Sequence, residues 1–586
     1  MPALHKGFRV NSSATAEWIE RIVTSAWFSY VTILLLQLKT AWRLWEFRDL
    51  TSGDTSSYFL NALEWHRIGT TQLAWSPLYT SFYGSLLHFS NDAFVVTTAH
   101  RVVIIIALAI LVLAVMRRLL PYGLAWLAAA WWVVLPINFD ALYEVHQFAL
   151  IPALLAVLVV SSKPTPLARG ISGAILAATT LLMRNELAVA TALWLLVCLA
   201  YEWRRQSERG IAASLQTLRK VAFAYGVPMI LTGMLVLWCA DRASDLPMLD
   251  QALQRKHTLN ICQTYAFGYQ QRHTDFPKSP WIECQQLMQR VYGQPEPSLT
   301  QALSRNPGAM AEHFLWNVRL LPYGLQMLFF NAAPTAVTPD YVLVPRGGSW
   351  LWIATLLVCA LTAAGVVRLW VHRVHWWEYW LHDRIWGFIL LGFFGVVALI
   401  VAITQRPRPS YLFAAGIGLK ATVLLLLYVL TAKYWKPRAT AILFAFTAAA
   451  VLLWTRPYYP AEYAGRPRPL LQTYNRLRFF QPLIERPQTA LTGFGLSGEV
   501  CNYLAKGVGC LPLAHRSYGG DVDPGKELEK VSSVAGANLV YLEESVLNPP
   551  EGAKVVAGFQ AGGWDLIAMR DALGDRWALL SKRTQP

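Results

Sequence analysis

The side chains with chemistry to offer lie in the turns of this sequence, between its apolar runs. Asp54 follows a glycine in GDTSSYFLNAL and heads a helical pattern. Asp140, Glu144 and His146 share the turn NFDALYEVHQ, and Arg184 and Glu186 share MRNELA. Arg406, Arg408 and Tyr411 share QRPRPSYLF, where two prolines keep the arginines out of a helix. A positioned carboxylate can take a proton from a hydroxyl, and a guanidinium can grip a phosphate through paired charge-assisted bonds. Each group also has a plainer reading. Asp54 would cap a helix, and the 138–147 turn would simply be hydrated. Arg184 would pair with Glu186 or snorkel, and Arg406 and Arg408 would meet lipid headgroups.

The elements that must position these residues are membrane spans. The sequence is 55% hydrophobic and only 15% charged, and its mean hydropathy is positive. A span needs roughly 20 apolar residues, and runs at 24–44, 94–116, 221–240, 350–370, 386–404, 411–431 and 439–455 qualify. Shorter runs at 124–137, 148–160, 171–183 and 187–201 bring the expectation to about eleven spans. Basic residues cluster in every second loop, which places those loops in the cytoplasm. Loops 45–93 and 241–349 then face outward, as does the C-terminal region. The net charge of +16 thus reads as orientation rather than as nucleic-acid binding. The first apolar run is too long for a signal core and has no small-residue cleavage pattern after it, so it is expected to be a retained anchor.

Three regions follow: a transmembrane domain over 1–455, a connector rich in proline and arginine over 456–487, and a soluble α/β domain over 488–586. In the last, TALTGF, NLVYLE, KVVAGF and WDLIAMR read as strands. Within loop 45–93, Tyr58, Phe59, Ala62, Leu63 and Trp65 recur at helical spacing, which predicts a helix along the membrane surface. Outward-facing Cys262 with Cys284, and Cys501 with Cys510, are disulfide candidates. The absence of a CxxC pair argues against structural zinc, and no P-loop, GxSxG, HExxH or dinucleotide fingerprint occurs.

GDTSSYFLNAL followed by WSPLYTSFYGSLL in the first outward loop resembles the GT-C superfamily of membrane glycosyltransferases, in particular protein O-mannosyltransferases and lipid A aminoarabinose transferases. Asp54, Tyr58, Ala62, Pro77, Leu78 and Tyr79 carry the likeness. Thr55 stands where relatives often have a second acid, Asn185 where they have proline, and Ser410 is inserted before Tyr411. The resemblance implies a GT-C-like helical fold and an inverting transfer of one sugar from a polyprenyl-phosphate donor to an acceptor hydroxyl outside the membrane. Asp54 would be the base, with Asp140 or Glu144 assisting. Arg184 and Arg406 with Arg408 would hold phosphate, and Tyr58, Tyr79, His146, Glu186 and Tyr411 would line the substrate site. No cofactor is required; a divalent ion, Mg or Mn, is compatible with the acids, but their spacing is not a metal signature. The expected partners are the lipid-linked donor, a glycan, lipid or protein acceptor, and membrane lipid. The expected location is a bacterial inner membrane with the C-terminal domain in the periplasm. A polymerase or ligase using diphosphate-linked donors, a transporter without covalent chemistry, and an inactive binding scaffold are the alternatives.

Overall fold

Short polar residues and prolines set the ends of the apolar helices. Ser25 accepts a hydrogen bond from the Phe28 amide at the head of α1 (Ala26–Ala41). Two helices follow, α2 (Asp54–Ile68) and α3 (Pro77–Leu86), then α4 (Ala93–Leu119), α5 (Tyr122–Val133) and α6 (Glu144–Ser162). Helix α7 (Pro166–Leu182) has Thr165 as its cap and proline at its first position, a pairing that satisfies one orphan amide and removes another. Next come α8 (Ala188–Ser207) and α9 (Ile211–Asp241). The long loop that follows is itself helical: α10 (Leu249–Gln270), α11 (Cys284–Tyr292), α12 (Leu299–Arg305) and α13 (Pro307–Phe330). The chain then forms α14 (Gly348–Val371), α15 (His382–Thr404), α16 (Pro409–Thr431) and α17 (Pro437–Trp454).

This computed structural model describes residues 20–583, apart from 51–53, 141–143, 208–210, 282, 341–343, 374–381, 436 and several stretches between 460 and 574. Among the described residues, seven helices are long and apolar enough to cross a membrane, in α4, α6, α8, α9, α14, α15 and α16. Tyr122–Val133, Pro166–Leu182 and Ala439–Trp454 are shorter apolar helices. The protein is therefore a polytopic helical fold with a small C-terminal sheet domain.

The chain forms two compact units. The first comprises Met1–Leu44, Gln72–Tyr79 and Arg101–Gly465; the second comprises Trp45–Thr71, Thr80–His100 and Arg466–Pro586. In the first unit, α7 packs on α9 at a close crossing, because a Cβ on Gly170 would lie 2.1 Å from the Ala224 carbonyl oxygen. Helices α10 to α13 enclose a separate core of Tyr265, Phe276, Leu287, Met288 and Met310, and the Cys262–Cys284 disulfide joins α10 to α11.

The second unit carries a five-stranded sheet of order β2-β1-β3-β5-β4. Strand β1 (Ala490–Phe494) lies parallel to β2 (Gly509–Leu513) and β3 (Leu539–Glu543). Strand β5 (Asp575–Lys582) pairs antiparallel with β3 and with β4 (Trp564–Ala572). KVVAGF is not a strand: it lies in the helix α18 (Glu551–Ala561). Val555, Val556 and Phe559 are buried on one face of that helix, a helical period that two adjacent valines disguise as a strand. Most of the 45–93 loop belongs to this unit, while Gln72–Tyr79 belongs to the first. The Asp49 carboxylate accepts the amides of Thr473 and Tyr474 at 2.7 and 3.0 Å, and Phe59 packs on Tyr503 with ring centroids 4.7 Å apart. Most of 456–487, and the Cys510 side chain, lie outside the described residues; Cys501 is disulfide-bonded.

Candidate functional site

Helix α7 stops where Met183 and Arg184 both donate their amides to the Thr179 carbonyl. Arg184 then turns extended, with φ −141° and ψ 99°, and a single 3-10 turn, Asn185–Leu187, leads into α8. The guanidinium of Arg184 meets the Glu186 carboxylate at 2.6 and 2.5 Å. Opposite this turn, α16 starts at Pro409, with Arg408 as its cap residue. The Tyr411 ring joins the two turns. The Arg184 guanidinium carbon lies 6.0 Å from its centroid, that of Arg408 lies 5.7 Å away, and His146 meets it edge-on at 5.1 Å.

A cleft of about 60 Å³ opens at this junction. His146, Arg184, Glu186, Ser410 and Tyr411 form its polar end. The Ser410 hydroxyl is buried there and makes no hydrogen bond to the described residues. The rest of the wall is apolar: Ala149, Leu150 and Ala153 on one face of α6, and Phe394, Val397 and Val401 on one face of α15. A polar end beside an apolar wall suits an amphipathic ligand.

A third cation reaches the site. Arg184, Arg408 and Lys256 all act electrostatically on the His146 ring. The Lys256 ammonium donates to the Ala74 carbonyl at 2.8 Å and sits 4.5 Å from the Trp75 ring centroid. Asp245 accepts the amides of Leu73 and Ala74 at 2.8 and 2.9 Å, so the loop clamps the 3-10 turn Leu73–Trp75 from two sides. Ser76, left-handed at φ 58°, then donates its hydroxyl to the Met183 carbonyl at 2.8 Å. Asp340, whose side chain is fully buried, stands 4.0 Å from the Nε of Arg408. Lys256, Asp245, Ser76 and Asp340 were not candidates from the sequence. None falls in a periodic pattern, and each is far in sequence from what it touches.

Glu144 is buried in an ion pair with Arg101 at 2.7 Å, away from the cleft lining. Asp140 accepts the Tyr458 hydroxyl. Arg406 points into the protein: it is 1% exposed, lies 3.7 Å from the Phe267 ring centroid and donates to the Thr338 carbonyl. Pro407 separates its direction from that of Arg408. Tyr79 is buried against Phe148, with centroids 5.3 Å apart. In the second unit, Asp54 is exposed in the first turn of α2, with Thr55, Ser56 and Tyr58 buried behind it. Among the described residues, no group of three or more His, Cys, Asp or Glu could hold a metal ion.

No family model and no curated protein sequence matches the chain. Solved structures do. The archaeal oligosaccharyltransferase AglB from Archaeoglobus fulgidus, in complex with an inhibitory peptide and a dolichol-phosphate, aligns at 13% identity and a TM-score of 0.42, over 91% of this chain and 70% of that one. The Archaeoglobus fulgidus oligosaccharyltransferase in complex with Zn and sulfate aligns at 12% and 0.43, over 89% and 68%. ArnT from Cupriavidus metallidurans, bound to undecaprenyl phosphate, is similar at 11% identity and a TM-score of 0.38, over 98% of this chain and 100% of that one.

Proposed function

We propose that the chain is an inverting glycosyltransferase of the GT-C kind. In this reading it moves one sugar from a polyprenyl-phosphate donor to an acceptor hydroxyl on the outer face of a bacterial inner membrane. The observation that carries the reading is the amphipathic cleft. Arg184 and the buried Ser410 hydroxyl line it and Arg408 lies beside its Tyr411 wall, which supports a lipid phosphate there, and the α6 and α15 stripes suit its prenyl chain.

The acceptor oxygen attacks the anomeric carbon as the bond from that carbon to the phosphate oxygen breaks. The electron pair stays on phosphate, and the hydroxyl proton passes to a base. The GDTSSYF motif assigns that base to Asp54. A donor phosphodiester carries one negative charge, whereas the departing monoester carries about −1.5 to −2 near neutrality. The two guanidiniums therefore bind the leaving group more strongly than the donor, which is how binding becomes rate. Asp140 remains a candidate to orient the acceptor, and the C-terminal domain a candidate to hold it.

The test is to incubate the purified protein in lipid with a panel of polyprenyl-phosphate sugars and follow polyprenyl-phosphate release. Release from at least one donor, with an inverted product, is expected. Release from none overturns the proposal, and a retained anomeric configuration overturns the single displacement.

A further inference from the structure

At the other end of α7, far along the helix from Arg184, a second cavity of about 490 Å³ lies between the starts of α7 and of the apolar part of α9. Thr165, Leu167, Arg219, Lys220, Phe223 and Ala224 line it. Arg219 and Lys220 are exposed, no acidic residue lines the cavity, and neither cation is ion-paired among the described residues. The neighbouring arginine is different: Arg169 is buried and already holds Glu202, the Pro164 carbonyl and the Tyr225 hydroxyl. The Gly170–Ala224 approach fixes the crossing of the two helices, so the cavity is a formed groove.

Below the cations the groove runs onto an apolar stripe. Phe223, Val227, Ile230, Met234 and Leu237 recur every three or four residues along one face of α9. They are 66%, 39%, 64%, 62% and 70% exposed. Fourteen residue-to-residue steps from Phe223 to Leu237 make this stripe about 21 Å long, more than one leaflet of a hydrocarbon core about 30 Å thick. Arg219 marks the polar end of this candidate span.

We propose that this groove is a binding site for an anionic glycerophospholipid. Its phosphate lies between Arg219 and Lys220, and its acyl chains lie along the α9 stripe. Two cations without a carboxylate favour an anionic over a zwitterionic headgroup, by roughly 30-fold for two basic contacts near a membrane surface. The apolar stripe distinguishes a lipid from a free phosphate, which would gain nothing from it.

The full-length protein in bilayers of equal phosphatidylglycerol and phosphatidylcholine tests this by native mass spectrometry of the retained lipid. Wild type should keep phosphatidylglycerol preferentially. The R219A/K220A variant should lose that preference, whereas R204A/R205A, which removes the same charge outside the groove, should keep it. F223S keeps both cations and should retain less lipid. Equal retention of the two lipids by wild type, or equal loss in both double variants, overturns the site. Displacement of the lipid by inorganic phosphate overturns its assignment to a lipid. The two double variants should elute and melt like wild type, since their side chains are exposed.

Discussion

Tyr411 receives two guanidiniums and an imidazole around one ring, and each guanidinium faces a carboxylate: Glu186 for Arg184, Asp340 for Arg408. Truncating either arginine should weaken handling of the departing phosphate. Arg184→Ala or Arg408→Ala is expected to lower kcat/KM on the lipid-linked donor by about 10²–10³. Arg184→Lys should recover only part, since an ammonium does not reproduce the planar fork. Arg406→Ala should behave differently. It strips a buried contact, so the thermal midpoint should fall. Initial rates and melting curves on the same preparations separate the two arginines. Asp54→Asn keeps a capping side chain but removes the base, and should lower kcat by about 10²–10⁴ with donor affinity unchanged; an unchanged kcat would leave Asp54 a cap and nothing more. The sequence made the turns legible, and His146, Arg184, Glu186 and Tyr411 do meet at one cleft. It did not separate Arg406 from Arg408, because the direction of two arginines around a proline depends on what packs beside them. Nor did it find the partner of Glu144, since Arg101 lies 43 positions away at the head of an apolar run.

The helices α10 to α13 do for the 401–408 turn what a scaffold does for a loop. The Asn317 amide donates to the carbonyls of Ile403 and Gln405, both at 2.9 Å, and lies 3.2 Å from the His313 ring. Burial, reinforced by the charges of Arg272 and Arg406, pushes the His313 imidazole down to about 3. Glu312, next to it, would be raised by burial. Hydrogen bonds from Arg272 and His273, and their charges, instead hold it below the ordinary carboxylate value. Both shifts have one sign. The unfolded chain binds more protons than the folded one below about pH 6.5, so stability falls on acidification, at up to about 1.4 kcal/mol per pH unit for one such histidine. His313→Gln should flatten the fall in thermal midpoint between pH 7 and pH 5, which a melting series at stepped pH would show. This element scale was only partly readable beforehand. Capping residues and apolar runs marked the long helices well, because lipid-length runs leave few alternatives. The fold of loop 241–349 and the helical state of KVVAGF were not marked, because short amphipathic stretches are decided by the surface they pack on.

At the scale of the whole chain, the second unit is built from three separated pieces. Asp49 binds the backbone at Thr473 and Tyr474, Phe94 packs on Tyr474 with centroids 4.4 Å apart, and Phe59 packs on Tyr503. Removing 466–586 should therefore strip the packing from α2, even though the cut lies more than 400 residues from Asp54. Proteolysis of 45–100 should quicken in the truncated protein, with turnover lost; unchanged protection would contradict the shared core. The C-terminal region is thus not a detachable module that could be swapped between proteins as one contiguous gene segment. A recombination event that exchanged it would also have to carry a matching stretch from near the start of the chain, so the first hundred residues and the last hundred are expected to change together or not at all.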